Sequence, residues 1–377
     1  MLRGSKHSDM FIVVTLTVAS SILFFGIVYS DSKTYIHMTR YFLGVADING
    51  VEECVAVRPL IPLMVALPAT FLWMPVAYGI LNSIFWVLSS VLMYHVTLRL
   101  TGSRQQSLAA ALLFTTSPPT LLYFGSVMLE AGSTFFTLLI LWTYLRLQDR
   151  LSEPSSLLAG ALVGVGILSR ETTLPVVVTI LLLGIIARRI KQTFVWALLL
   201  IVPSVVWQGY TTLTHGENYW THYVRAGLEY SERRYGTSFY ANVVDILKAL
   251  ALAHFPMAAI CLIVGFFSLT DRKQNLIFYS LLLPAFGAYL LWPFRDLRIG
   301  VVTYYATMPL AGMGLDHIVR SLKQKPLIGK LDSKAVRVVL YLVHIVVSIT
   351  YVYTRLGTFS PPWSIYLFAP SSLRAGL

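Results

Sequence analysis

Charge is what this sequence has least of. Only 12% of its 377 residues are Asp, Glu, Lys or Arg, against about 25% in a soluble domain, while 56% are apolar. A water-soluble surface cannot be covered at that charge density, and a chain of this length has no core large enough to hide the apolar excess. Cysteine is nearly absent. Cys54 lies in a loop and Cys261 in an apolar run, and there is no CxxC, so neither a disulfide nor a zinc or redox site is expected. His37, His95, His215, His222, His254, His317 and His344 show no metal spacing such as HExxH, and read as interfacial or structural. Gly160, Gly164 and Gly166 lack the Lys-Ser/Thr of a phosphate loop, so Gly160-x-x-x-Gly164 reads as close helix packing. No dinucleotide fingerprint, low-complexity segment or inverted repeat is evident.

Long apolar runs dominate what remains. Stretches free of charge predict about eleven membrane spans, near 10–30, 77–98, 105–125, 129–147, 155–169, 173–189, 193–212, 247–269, 275–293, 299–319 and 337–354. The expectation is an all-α polytopic bundle forming one domain over 1–377. The first run is too long for a signal-peptide core and has no clear small-residue cleavage site, so it reads as a retained helix. Pro59, Pro62, Pro68 and Pro75 crowd the charge-free segment before residue 77. Proline at that density breaks helices repeatedly, so 59–76 is expected to lie in the interface rather than span.

The net charge of +12 belongs to short basic clusters between spans. It therefore marks topology and contact with anionic lipid headgroups, not nucleic-acid binding. If 59–76 does not span, 17 of the Lys and Arg residues fall inside and 11 outside, Lys248 being unassigned. The positive-inside rule favours that arrangement over its reverse. It places the N-terminus in the cytoplasm, the C-terminus outside, and two long loops outside. The first, 31–76, carries juxtamembrane helices. The second, 213–245, is rich in Tyr and Trp and reads as a helical cap.

Acidic residues sort the other way, with 11 outside and six inside. Four outer charged sites stand at span ends with little loop around them: Asp31, Glu130, the Arg170-Glu171 pair, and the cluster of Arg295, Asp296 and Arg298. Ionisable groups at membrane depth are expensive and mark function by default. The alternative for each is a snorkelling side chain or a structural ion pair, Arg170 with Glu171 for instance.

In this order the sites resemble the GT-C superfamily of membrane glycosyltransferases, which includes the protein mannosyltransferases and the lipid A aminoarabinose transferase. Asp31 followed by Tyr35 ends the first span. Arg58-Pro59-Leu60 leads into an in-plane helix. Ser117-Pro118 and then Glu130 follow. A Gly-rich span reaches Arg170-Glu171-Thr172, and a late segment carries Arg298, Tyr304-Tyr305 and Pro309. The resemblance covers roughly the first 320 residues. Asp31 stands alone where the family often has paired acids, which gives no support for a bound divalent metal, and no other cofactor is expected. The large C-terminal soluble domain of oligosaccharyltransferases is missing, which favours a monosaccharide transferase.

The resemblance implies a polyprenyl- or dolichyl-phosphate sugar as donor, and a glycan, lipid or protein as acceptor. It implies inverting transfer at the outer or luminal face. Asp31 is the expected general base, with Glu130 as second carboxylate. Arg170, Arg298 and Arg58 are the expected phosphate ligands, and Glu171, Tyr35 and Tyr305 further substrate contacts. The compact chain suits a prokaryotic plasma membrane better than the endoplasmic reticulum. The competing readings are a transporter or flippase for a lipid-linked sugar, which would need ionisable residues in mid-span, and a non-catalytic membrane subunit.

Overall fold

The computed structural model describes residues 3–25, 32–47, 58–216, 221, 225, 229, 239–291, 297–324 and 332–356. Among them the regular structure is helical throughout, as the unbroken apolar runs require. Inside a bilayer every backbone N–H and C=O must be satisfied within its own segment, and a helix does this.

Helices α1 (Arg3–Leu23), α4 (Met74–Thr101), α7 (Glu130–Leu147), α10 (Ile190–His215), α13 (Arg272–Leu291), α14 (Tyr304–Lys323) and α15 (Ser333–Leu356) are the long elements. Of these, α4, α10 and α15 are each long and apolar enough to cross a bilayer unaided. Their outward faces are apolar, with Ile84 50%, Val206 64% and Val346 60% exposed. An apolar belt of that extent fits lipid and not water.

Shorter helices complete the bundle: α2 (Ser32–Phe42), α3 (Leu60–Ala66), α5 (Arg104–Thr115), α6 (Pro118–Tyr123), α8 (Pro154–Gly164), α9 (Pro175–Ile186), α11 (Phe239–Ala253) and α12 (Met257–Phe267). At seven residues, α3 is about 10 Å long, well short of the roughly 30 Å hydrocarbon core. A single 3-10 turn at Pro68–Thr70 separates it from the start of α4. The segment 59–76 is therefore broken as its prolines predict. The interior of the 213–245 loop, where a cap was expected, lies largely outside the described residues.

Two predicted spans are not continuous. The one placed at 105–125 divides into α5 and α6. Pro118 and Pro119 open α6, and Ser117 before them is extended (φ −68°, ψ 147°), because the residue preceding a proline is driven out of the helical region. The one placed at 247–269 bends by 105° between α11 and α12, at His254-Phe255-Pro256. Here proline again removes a backbone donor.

Close packing rests on small residues. A Cβ on Gly314 would lie 1.7 Å from the Cys261 carbonyl oxygen, and one on Gly265 would lie 2.0 Å from that of Leu310. So α12 and α14 touch backbone to backbone. Gly312 meets α5 in the same way, at the Gln106 carbonyl. The expected packing role of Gly160 and Gly164 is also seen: Gly160 faces the Trp196 ring and Gly164 the backbone of Leu199 and Leu200. Helices in lipid associate through such contacts, since burial from water contributes nothing between them.

The helix ends sort into two faces. One is basic and pinned by ion pairs. Arg104 donates to Asp9 at 2.6 Å, Arg189 to the Gln148 carbonyl at 2.6 Å, and Arg337 to Gln105 and Asp316, each at 2.6 Å. Arg320 also donates to Asp316. His254 and His344 are structural, as expected: His254 shares hydrogen bonds with the Leu250 carbonyl at 2.9 Å and the Thr307 hydroxyl at 2.8 Å, and His344 with the Leu113 carbonyl at 3.4 Å. The other face holds the start of α7, the turn between α8 and α9, and helices α2 and α3.

Candidate active site

The second face is built around two buried arginine–glutamate pairs. The turn at Arg170-Glu171 brings them together. There α8 runs on as a 3-10 helix over Val165–Ser169, Arg170 adopts an extended backbone (φ −172°, ψ 146°), and Glu171–Thr173 makes one more 3-10 turn before α9. Neighbouring side chains on an extended segment point in opposite directions, so Arg170 and Glu171 find different partners.

Glu171 is gripped by Arg58, the residue just before α3. The Arg58 Nε donates to Glu171 Oε2 and its Nη2 to Oε1, both at 2.6 Å. This bidentate fork is the strongest geometry available to the two groups. The remaining Nη1 of Arg58 donates to the Tyr35 hydroxyl on α2 at 3.3 Å. One guanidinium thus ties three segments that are far apart in sequence. Burial alone would push the Glu171 carboxyl up, but Arg58 and Arg170, with the paired hydrogen bonds, hold it below its ordinary value. Burial pushes the Tyr35 phenol up against the opposing pull of Arg58 and Arg170, so Tyr35 stays a neutral hydroxyl.

Arg170 turns to Glu130, at the first position of α7, and donates to its Oε1 through Nη1. Its Nε is 3.6 Å from Glu171 Oε1, within ion-pair range but without a hydrogen bond. Both side chains are almost wholly buried. Glu130 Oε2 is buried and has no hydrogen-bond partner among the described residues, an exception for a buried polar group.

Glu130 is placed by an irregular buried segment, 124–129, between α6 and α7. Its carbonyls would be orphaned in the bilayer were they not met by side chains. Asn82 on α4 donates to the carbonyls of Ser126 and Met128 at 2.6 and 2.8 Å, and Ser32 donates to that of Val127 at 2.9 Å. Gly125 lies flat against Phe24, where a Cβ would come within 2.3 Å of the carbonyl oxygen. Asn82 and Ser32 were not singled out in the sequence, although Asn82 is a polar amide in a charge-free run of forty residues, a signal that was there to be read.

A recess opens beside the second pair. Glu130, Ser133, Thr134 and Thr137 of α7 line it, with Arg170, Thr172, Arg298, Val301, Val302 and Tyr305. Its volume is about 10 Å³, room for roughly one water molecule. Tyr305 shares a hydrogen bond with Thr179 of α9 at 3.0 Å. The hydroxyls at 133, 134 and 137 also went unremarked in the sequence, yet they occupy one side of the first turns of an otherwise apolar helix.

The structure therefore gathers Glu130, Arg170, Glu171, Arg58, Tyr35, Arg298 and Tyr305 at one end of the bundle. The Arg170-Glu171 pairing contemplated from the sequence is the weaker contact. Arg58 takes Glu171 and Arg170 takes Glu130. Asp31, the expected base, lies outside the described residues, immediately before Ser32 of α2, and Arg295 and Asp296 also lie outside them. Among the described residues no three His, Cys, Asp or Glu side chains converge.

Residues 57–207 match the dolichyl-phosphate-mannose-protein mannosyltransferase family. No curated protein sequence matches the chain significantly. Solved structures do. The chain resembles ArnT from Cupriavidus metallidurans, solved with undecaprenyl phosphate, at 14% identity and a TM-score of 0.61, covering 94% of this chain and 72% of that one. It also resembles the oligosaccharyltransferase AglB of Archaeoglobus fulgidus, solved with an inhibitory peptide and a dolichol-phosphate, at 12% identity and a TM-score of 0.55. That match covers 92% of this chain and 55% of AglB, so this chain spans about half the length of that protein. The chain is thus a polytopic helical membrane protein with the fold of the GT-C glycosyltransferases, and Arg58, Glu130, Arg170 and Glu171 all fall within the segment that matches the mannosyltransferase family.

Proposed function

We propose that the protein transfers a monosaccharide from a polyprenyl- or dolichyl-phosphate donor to an acceptor hydroxyl, at the face carrying the Arg170–Glu130 pair. That pair, buried beside the hydroxyl-lined recess and Arg298, is the observation that supports the reading most directly. Transfer from a lipid-phosphate sugar releases a lipid monophosphate whose charge rises as the glycosidic bond breaks. Guanidinium groups preorganised in a water-poor site stabilise that charge, and Arg170 and Arg298 take that role in this reading.

In the reaction the acceptor oxygen attacks the anomeric carbon. The bond from that carbon to the phosphate oxygen breaks, and the leaving phosphate takes its electron pair. The acceptor proton passes to a carboxylate. Asp31 is the proposed base, and Glu130 orients the acceptor or favours oxocarbenium character in the sugar. In-line attack inverts the anomeric carbon. Arg58 is assigned here to holding Glu171 and Tyr35 rather than to the donor, because its bidentate bond leaves one nitrogen for other contacts.

The recess is too small for a sugar, so donor binding requires rearrangement. A phosphate competing for Arg170 separates it from Glu130 and opens the space between them. The released Glu130 carboxylate is then available to the substrate.

The active face is assigned to the outside of the cell or the lumen. Basic clusters at the opposite end support that orientation through the positive-inside rule, and the compact chain suits a prokaryotic plasma membrane. Which sugar and which acceptor are used is a matter for the donor panel. Purified protein in nanodiscs, given labelled polyprenyl-phosphate sugars and extracts of lipid, glycan and protein acceptors, should transfer from at least one donor. Asp31→Asn should abolish that transfer. A folded protein that releases sugar from none of them, but moves a lipid-linked sugar across the bilayer, would establish the transporter reading instead.

A further inference from the structure

A second site lies at the opposite, basic end of the bundle. A cavity of about 390 Å³ opens between α1, α4 and α7, lined by Met10, Tyr94, His95, Leu98, Arg99, Trp142 and Arg146. Arg99 and Arg146 are both exposed, and neither meets a carboxylate among the described residues. Arg146 is nevertheless held in place, its guanidinium 5.1 Å from the centre of the Trp142 ring, a contact that fixes a cation without neutralising it. Of the acids near this end, Asp9 is already engaged by Arg104 at 2.6 Å and by the Tyr94 hydroxyl at 3.3 Å, and Asp149 by Arg189 at 3.0 Å. The site therefore presents two uncompensated positive charges.

We propose that this cavity binds the headgroup of an anionic phospholipid. Charge complementarity calls for a phosphate, and the walls say that it comes attached to acyl chains. Leu98, Met10 and Trp142 make the cavity largely apolar. Beside it the surface is lipid-like: Phe11 next to Met10 is 71% exposed, and Leu88 lies on the same face of α4 as His95 and Arg99, two turns toward the bundle centre. A headgroup held by Arg99 and Arg146 would run its chains along Leu88 and Phe11. Basic pockets between spans at the cytoplasmic end suit such headgroups, and an indole beside the charge suits the interface. This site is separate from the proposed active face and does not depend on its chemistry.

The test is native mass spectrometry of protein released from nanodiscs of phosphatidylcholine containing a minor fraction of phosphatidylglycerol. Wild type is expected to retain phosphatidylglycerol selectively, and Arg99→Gln/Arg146→Gln to lose that retention tenfold or more. Arg272→Gln/Lys273→Gln, which removes exposed charge elsewhere at the same end, should retain it as wild type does. All three proteins are expected to elute as folded monodisperse species, since the substituted side chains make no ion pair among the described residues. Equal retention in the Arg99/Arg146 variant, equal retention of phosphatidylcholine, or displacement of the lipid by millimolar inorganic phosphate would each overturn the proposal, the last by showing a site for a soluble anion.

Discussion

Breaking the Arg58–Glu171 fork should unfold the active face before it affects chemistry. Glu171→Gln leaves the Arg58 charge buried, with side-chain exposure of only 7%, and sets an amide NH2 against a guanidinium N–H, so that one of the two hydrogen bonds of the fork is lost. Removing one member of a buried ion pair costs about 3–5 kcal/mol. Arg58→Met should cost a similar amount, because it removes both hydrogen bonds of the fork and leaves the buried Glu171 carboxylate only the longer contact to Arg170 at 3.6 Å. The double change Arg58→Met/Glu171→Leu removes both charges together, and apolar replacement of a buried pair is often neutral. A double-mutant cycle should therefore give a coupling energy of at least about 2 kcal/mol. Unfolding in mixed micelles of mild detergent and dodecyl sulfate, followed by circular dichroism, is the assay. Additive single changes, or a double variant no more stable than either single, would refute the claim that these two groups stabilise the fold chiefly through each other.

Acid should act through the same residue. The Glu171 carboxyl titrates below its ordinary value of 4.5, so its stabilising contribution is complete above that value and lost as the pH falls through the lower folded one. Glu171→Gln should flatten the acid limb of the stability profile. At the α12–α14 contact, Gly314→Ala would force a Cβ to within 1.7 Å of the Cys261 carbonyl. It should cost more than the usual 1–3 kcal/mol or so of overpacking, whereas Gly287→Ala, with nothing within 4 Å, should be neutral in the same titration. Asn82→Ala orphans two buried carbonyls and should destabilise by about 1–3 kcal/mol. Because those carbonyls place Glu130, it should also lower kcat more than it raises KM in a transfer assay.

The sequence disclosed the fold class, and the charged residues that the structure gathers at one end of the bundle, for the same reason. Charges are so rare in this chain that Glu130, Arg170-Glu171 and Arg298 stand out at span ends, and their order along the chain matched a known pattern. It did not disclose who pairs with whom. Arg58 and Glu171 are 113 positions apart, and no periodicity links them. Adjacency suggested Arg170 with Glu171, and the two groups do lie within ion-pair range, but each makes its hydrogen bonds with another partner. The interruptions at Ser117-Pro118 and at Pro256 carried their own signal. They were read through because apolar composition does not distinguish a straight span from a broken one. Asn82 stood out as a polar amide in a charge-free run, but its partners could not be read because they are main-chain carbonyls, which every residue has.

The central claim is that Arg170 and Glu130 act on a lipid-phosphate sugar. Its most direct test is single-turnover transfer of labelled sugar in nanodiscs by wild type, Arg170→Gln and Glu130→Gln, each first shown to be folded. The account predicts that wild type forms glycosylated acceptor and free lipid monophosphate in equal amounts. It predicts that Arg170→Gln slows transfer by about a hundredfold or more, as loss of one transition-state donor does, and that Glu130→Gln slows it as well. Transfer at the wild-type rate by folded Arg170→Gln would contradict it.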